Sequence, residues 1–146
     1  MKVREIMTSD PATATPDTNL RDVAQLMVDH DCGEIPIIED KTTKKPIGVI
    51  TDRDIVVRTV ALGKNPLELS ARDALTSPAT TVTPEADLDD CAHVMEQEKI
   101  RRVPVIDERG GVIGMVSQAD IVRSARDRMA AELVREVSEE GQKVRR

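Results

Sequence analysis

Two kinds of hydrophobic pattern alternate along this chain, and the alternation happens twice. Residues 2–8, KVREIMT, read as one helical turn running into Ser9-Asp10-Pro11. Residues 12–15, ATAT, read as a short extended piece closed by Pro16. Leu20, Val23, Ala24, Leu26, Met27 and Val28 then recur close to the i, i+3, i+4, i+7 spacing of an amphipathic helix. Thr18 or Asn19 can cap it, and it ends near His30. Glu34-Ile35-Pro36-Ile37-Ile38 predicts a short strand, and Pro36, having no amide hydrogen, belongs near a strand start or a sheet edge. A polar turn from Glu39 to Lys45 leads to a second strand, Ile47 to Ile50. Thr51 then opens a helix through Ile55, Val56 and Val57 to about Leu62, where Gly63-Lys64-Asn65-Pro66 breaks it.

The same order then returns. Ala71 to Thr76 echoes Val3 to Thr8, and Pro84, Leu88, Asp90, Ala92 and Met95 match Pro16, Leu20, Asp22, Ala24 and Met27 at an offset of 68. Val103-Pro104-Val105-Ile106 matches Ile35-Pro36-Ile37-Ile38 at that offset. The offset drops to 66 after the tighter turn Asp107 to Gly111, and Ile113, Gly114, Asp120, Ile121 and Val122 match Ile47, Gly48, Asp54, Ile55 and Val56. A shift confined to a loop is what two copies of one fold produce. Each copy reads β-α-β-β-α, so the class is α+β: a first repeat over 1–66, a second over 67–125 and a C-terminal extension over 126–146. One copy is too small to cover both faces of its own sheet. Two copies packed about a pseudo-twofold axis would cover one another and leave equivalent clefts near their interface. The last helix is expected from Gln118 to about Val137, with Ile121, Ala125, Met129, Leu133 and Val137 as a narrow apolar stripe. That stripe can fold back on the body or pack on a second subunit. Gly141 and the closing Lys143-Val144-Arg145-Arg146 read as a frayed end.

Composition narrows the chemistry. Of the 146 residues 39% are apolar and none is aromatic, so the core is aliphatic and no ring is available to stack on a base. A formal net charge of -6, from 27 acidic and 21 basic residues, argues against a general nucleic-acid binder. Cys32 and Cys91 form no CxxC and read as reduced thiols. MKVREIM is followed by no apolar signal-peptide core, and no apolar run approaches the ~18 residues of a membrane span. The expectation is a soluble cytoplasmic protein.

Gly48-Val49-Ile50-Thr51-Asp52-Arg53-Asp54 and Gly114-Met115-Val116-Ser117-Gln118-Ala119-Asp120 carry the candidate chemistry. Each runs from an apolar strand into a helix with a hydroxyl at the junction and a carboxylate three residues on. A carboxylate can accept from both hydroxyls of a ribose, through charge-assisted bonds that contribute roughly 1.5–3 kcal/mol each. Thr51-x-x-Asp54 and Ser117-x-x-Asp120 are equally capping boxes, in which the carboxylate returns to the N-cap amide. As N-caps, Thr51 and Ser117 mark helix N-termini, where free N–H groups favour phosphate. Arg53 and Arg123 are further phosphate candidates, with a surface position as the ordinary alternative. His30-x-Cys32 lacks third and fourth ligands at a metal-site spacing, so no metal is expected. No nucleophile–base pattern or Walker-type loop points to catalysis.

The paired h-P-h-h strands and the two G-h-h-T/S-x-x-D phrases resemble a tandem pair of cystathionine-beta-synthase (CBS) domains, a Bateman module of the stand-alone bacterial type, over about residues 1–125. The resemblance implies a regulatory module that binds adenosine ligands: AMP, ADP, ATP, S-adenosylmethionine or NAD. It implies ribose contacts from Asp54 and Asp120, and phosphate contacts from Arg101 and Arg102, sometimes across to the other copy's cleft. It implies adenine contacts, largely from backbone, around Thr13 to Thr15, Thr81 to Thr83, Ile35-Pro36 and Val103-Pro104. The first copy has Gly33-Glu34 where the second has Arg101-Arg102, so Glu34 is expected to repel phosphate and make the clefts unequal. A homodimer and a separate effector protein are the expected partners, and the alternative is an interaction module without a physiological nucleotide.

Overall fold

The computed structural model describes the backbone of residues 1–144 and side chains through residue 139. Its order is β1 (Thr8–Ser9), α1 (Leu20–Asp29), β2 (Glu34–Ile38), β3 (Pro46–Thr51), α2 (Asp52–Arg58), α3 (Leu88–Glu98), β4 (Arg102–Ile106), β5 (Val112–Ser117) and α4 (Gln118–Val144), with short 3-10 turns between. β2 and β3 form one antiparallel hairpin, and β4 and β5 another. The extended pieces before α1 and α3 shrink to single parallel bridges, Ala14 to Ile37 and Val82 to Val105.

These bridges explain the prolines. Ala14 N–H donates to the Pro36 carbonyl at 3.1 Å, and Val82 N–H donates to the Pro104 carbonyl at 3.1 Å. A residue's N and C=O point to the same side of a strand, so each proline turns its missing donor away from the hairpin partner, as an edge requires.

The repeats are interlocked by their leading segments. β1 pairs with β5 of the second repeat, and Thr76, its counterpart, bridges to Val49 in β3 of the first. The surrounding bonds are reciprocal. Val3 N–H donates to the Ala86 carbonyl at 2.9 Å while Ala71 N–H donates to that of Thr18 at 2.8 Å. Leu88 N–H donates to the Met1 carbonyl at 3.1 Å while Leu20 N–H donates to that of Leu69 at 3.0 Å. The two cores repeat the exchange. Ala71 and Ala74 lie among Leu20, Val23, Ile35, Ile37 and Ile50, and Val3 lies among Leu88, Cys91, Met95, Val103, Val105 and Val116. Buried aliphatic side chains contribute about 1.5–3 kcal/mol each, so each half loses core when the other is absent. Burial also pushes the Cys91 thiol up from its ordinary range.

Two helices end differently from the pattern. α2 stops at Arg58 rather than near Leu62. The hydroxyl of fully buried Thr59 donates to the Ile55 carbonyl at 2.5 Å, and the chain tightens into a 3-10 turn, Val60–Leu62, closed by Gly63 at φ +75°. Such back-bonding competes with the helix ladder. α4 runs past Val137 and through Gly141 to Val144, since one helical glycine costs only about 1 kcal/mol; the fraying expected at Arg145 and Arg146 lies outside the described residues. Its stripe divides: Ile121 and Ala125 are half-buried on the body, while Met129, Leu133 and Val137 are at least 60% exposed. No helix among the described residues is long and apolar enough to cross a membrane.

Candidate functional site

Both repeats build the same cap. The Thr51 hydroxyl accepts from Asp54 N–H at 3.0 Å, and Asp54 Oδ2 accepts from Thr51 N–H at 2.9 Å. The Ser117 hydroxyl accepts from Asp120 N–H at 3.0 Å, and Asp120 Oδ2 accepts from Ser117 N–H at 3.0 Å. One oxygen of each carboxylate is therefore committed to its own helix start, which leaves Oδ1 for other partners. Ser117→Ala is expected to lower stability by about 1 kcal/mol in urea denaturation, the usual loss for a deleted N-cap.

The surroundings of the two caps differ through one side chain. Arg58 donates to the Leu75 carbonyl at 2.9 Å and to the Thr76 hydroxyl at 3.0 Å, and its Nε lies 3.8 Å from Asp54 Oδ1. The Thr76 hydroxyl itself reaches both Asp54 oxygens at 3.4 Å. Arg58 thus ties the free oxygen of Asp54 to the second repeat's leading segment. At the 66-residue offset its counterpart is Ser124, too short to do the same, and it donates to Met1 Sδ instead. Among the described residues Asp120 Oδ1 keeps only a loose ion pair, 3.5 Å, to Arg123.

Beside Asp120 lies a cavity of about 460 Å³. One wall is the start of α4, from Ser117 to Arg123; the others come from Thr8 to Ala12, from His30 to Cys32, and from Glu34 and Arg102. The site is composite: helix start from one repeat, entrance to the first parallel piece and to β2 from the other. A second cavity of about 650 Å³ shares Arg102, Ser117 and Arg123 with the first and adds Arg101 and Arg126. The two cavities adjoin at these shared residues and both mix charges: Glu34 and Asp120 line the first with Arg102 and Arg123, and Asp127 stands among four arginines in the second.

Glu34, from the first repeat, reaches the cavity beside the second repeat's Asp120. It lines the Asp120 cavity together with Arg102. These two residues are equivalent at the 68-residue offset, and strands related by a pseudo-twofold axis bring equivalent residues together near that axis. Glu34 is only 6% exposed, and its Oε2 has no hydrogen-bond partner among the described residues. Burial pushes its carboxyl up to about 7, against a pull down from Arg102, with a smaller push up from Asp54. The backbone carbonyl of Glu34 is used by the Cys32 thiol, which donates to it at 3.7 Å.

The remaining candidates scatter. Arg53 stands exposed on α2. The Ile35 and Val103 side chains are fully buried core, and the carbonyls of Pro36 and Pro104 hold the parallel bridges. Thr15 N–H donates to the Thr18 hydroxyl at 3.1 Å, and Thr13 is half-buried beside it. Thr81 is half-buried, and Thr83 lines a separate depression with Asp107 and Arg109. Sequence reasoning missed Thr8 to Ala12, His30 to Cys32, Arg58 and Arg126. Only Arg126, one helical turn beyond Arg123, carries a signal by spacing. Among the described residues no group of three or more His, Cys, Asp and Glu could hold a metal ion.

A family model described as CBS domain matches residues 3–59 and 71–127. The chain belongs to the CBS domain family. As a CBS pair it is 32% identical over 134 residues to hypoxic response protein 1 of Mycobacterium tuberculosis, covering 92% of each chain. It is 35% identical over 123 residues to a Methanopyrus kandleri protein, covering 84% of this chain and 62% of that one, less than two thirds of its length. A crystal structure of hypoxic response protein I with two coordinated zinc ions superposes at a TM-score of 0.75 with 34% identity, over 84% of this chain and 98% of that one. The CBS pair of protein MJ0100, in complex with 5′-methylthioadenosine and S-adenosylmethionine, superposes at 0.76 with 26% identity, over 88% of this chain and 98% of that one.

Proposed function

We propose that this CBS pair is a regulatory module, not an enzyme, that binds one adenosine nucleotide of the AMP, ADP or ATP class per chain and passes the signal to a separate partner in the cytoplasm. The observation that carries this reading is the Asp120 cavity beside a second one lined by four arginines and Asp127, with Arg102, Ser117 and Arg123 common to both. Each has the size of a ligand site. In this reading Asp120, which lines the first cavity, bonds the ribose. Ser117, the N-terminus of α4, Arg102 and Arg123 take a phosphate, and Arg101 and Arg126 a longer anionic tail. The adenosine ligands of the MJ0100 pair support the ligand class, and S-adenosylmethionine or NAD is the alternative within it. Ligand between Arg102 of one repeat and the Thr8 to Ala12 segment of the other would tighten the interlock, which is how binding would reach a partner.

Calorimetry tests this. AMP or ATP is expected to bind with a stoichiometry of one, to be lost in Asp120→Ala and to survive in Asp54→Ala. A 2′,3′-dideoxy ligand is expected to bind poorly, because a site built to bond hydroxyls rejects an analogue lacking them. Unchanged binding in Asp120→Ala would refute the assignment. A second reading, an interaction module without nucleotide, is favoured by the exposed Met129, Leu133 and Val137 on α4; it predicts no heat with any adenosine ligand. The same stripe leads us to expect a homodimer, which sedimentation velocity checks.

A further inference from the structure

Two charged residues of opposite sign occupy equivalent places beside the pseudo-twofold axis. Glu34 enters from β2 and Arg102 from β4, and both line the Asp120 cavity. They do not complete one another: Glu34 Oε2 is buried and, among the described residues, without a hydrogen-bond partner. The Arg102 guanidinium lies over Gly33 instead, its nitrogens 3.2 and 3.5 Å from where a Cβ on Gly33 would stand. The same arginine lines the second cavity with Arg101, Arg123, Arg126 and Asp127. An anion held there by Arg102 engages the cation that acts on Glu34 and adds a negative charge beside a buried carboxyl.

We propose that Glu34 decides what charge a ligand of the Asp120 cleft can carry: an anionic ligand held by Arg102 enters together with a proton taken from solvent onto Glu34, whereas an uncharged nucleoside enters without one. This rests on the nucleotide reading of the cleft. The groups around Glu34 bear it out. Arg102 on β4 is the cation that favours its ionised form, and Asp54 on α2 opposes it. Around the cavity stand Asp120 and Arg123 on α4, Asp10 after β1, and His30, Asp31 and Cys32 after α1. Burial already holds the carboxyl near neutrality, at about 7, so a further push from a bound phosphate falls within the physiological range. The sign follows. Below pH 7 Glu34 is protonated before and after binding, and affinity does not depend on it. Above pH 7 the free protein must take up a proton to bind, and affinity for an anion falls as pH rises.

The test is titration calorimetry of AMP and of adenosine at pH 6, 7 and 8, on wild type and Glu34→Gln, in buffers of different ionisation enthalpy. For wild type, AMP affinity is expected to fall by up to about tenfold between pH 6 and pH 8 beyond any change seen in Glu34→Gln. Proton uptake should accompany binding at pH 7. Adenosine should bind with no such dependence, and Glu34→Gln should bind AMP more tightly than wild type at pH 8. Carbon NMR titration of the Glu34 carboxyl in wild type, with and without AMP, reads the same linkage without a substitution and should show the midpoint rising on binding. Identical pH profiles for wild type and Glu34→Gln, or an unmoved midpoint, would overturn the linkage and leave the nucleotide site standing. No binding of AMP or adenosine at any pH would remove the nucleotide site and the linkage with it.

Discussion

Glu34→Gln is expected to stabilise the unliganded protein by about 3 kcal/mol at pH 8 and to change little at pH 4. Glutamine keeps the shape of the side chain and removes the ionisation. The carboxyl titrates at about 7 in the folded chain against 4.5 for a free glutamate, a gap that corresponds to roughly 1.4 kcal/mol per pH unit. Because the folded pKa is raised, the unfolded chain releases this proton first. The stability that goes with the neutral form is fully present below pH 4.5 and is lost as pH rises through 7. Urea denaturation of both proteins from pH 4 to pH 8 checks it. Parallel curves would mean that Glu34 finds a partner in solution, and the buried unpaired oxygen would cease to explain its state.

Gly48→Ala is expected to destabilise the fold by about 3 kcal/mol, at the upper end of what overpacking costs. A Cβ on Gly48 would stand 2.4 Å from the Thr76 carbonyl oxygen and 2.7 Å from Leu75 Cδ1. That carbonyl cannot simply move away, because it accepts from Val49 N–H at 2.9 Å while Thr76 N–H donates to the Val49 carbonyl at 2.8 Å. Gly114→Ala is the internal comparison. Its Cβ would meet Met7 Sδ at 2.6 Å, the far end of a flexible side chain, with the Thr8 carbonyl oxygen at 3.2 Å. A loss of about 1 kcal/mol is expected there, since thioethers repack readily. Equal losses in urea denaturation would show that the glycines matter for strand propensity and not for the crossing segment.

The glycines illustrate what the amino-acid order reveals and what it hides. The doubled G-h-h-T/S-x-x-D phrase was readable as two strand–helix junctions with hydroxyl caps, and both caps form with bonds of about the same length. The reason for a glycine at its head was not readable, because the obstacle is a segment from the other repeat. The extended pieces at 12–15 and 81–83 were legible as extended but not as single bridges, since a two-residue contact leaves no periodicity. That Glu34 and Arg102 line one cavity was not legible for a related cause: near a pseudo-twofold axis a residue can lie beside its own counterpart.

By itself the sequence determined the two-repeat α+β architecture, the aliphatic cores, the capped helix starts and the family. Those depend on local periodicity and on one copy matching another, which the order of residues states directly. Only the tertiary structure decided that the leading segments are exchanged, that Arg58 engages Asp54 while Ser124 leaves Asp120 beside a cavity, and that Glu34 shares that cavity with Arg102. The physical reason is that these outcomes turn on side-chain reach and desolvation between segments tens of residues apart, which no pattern along the chain encodes.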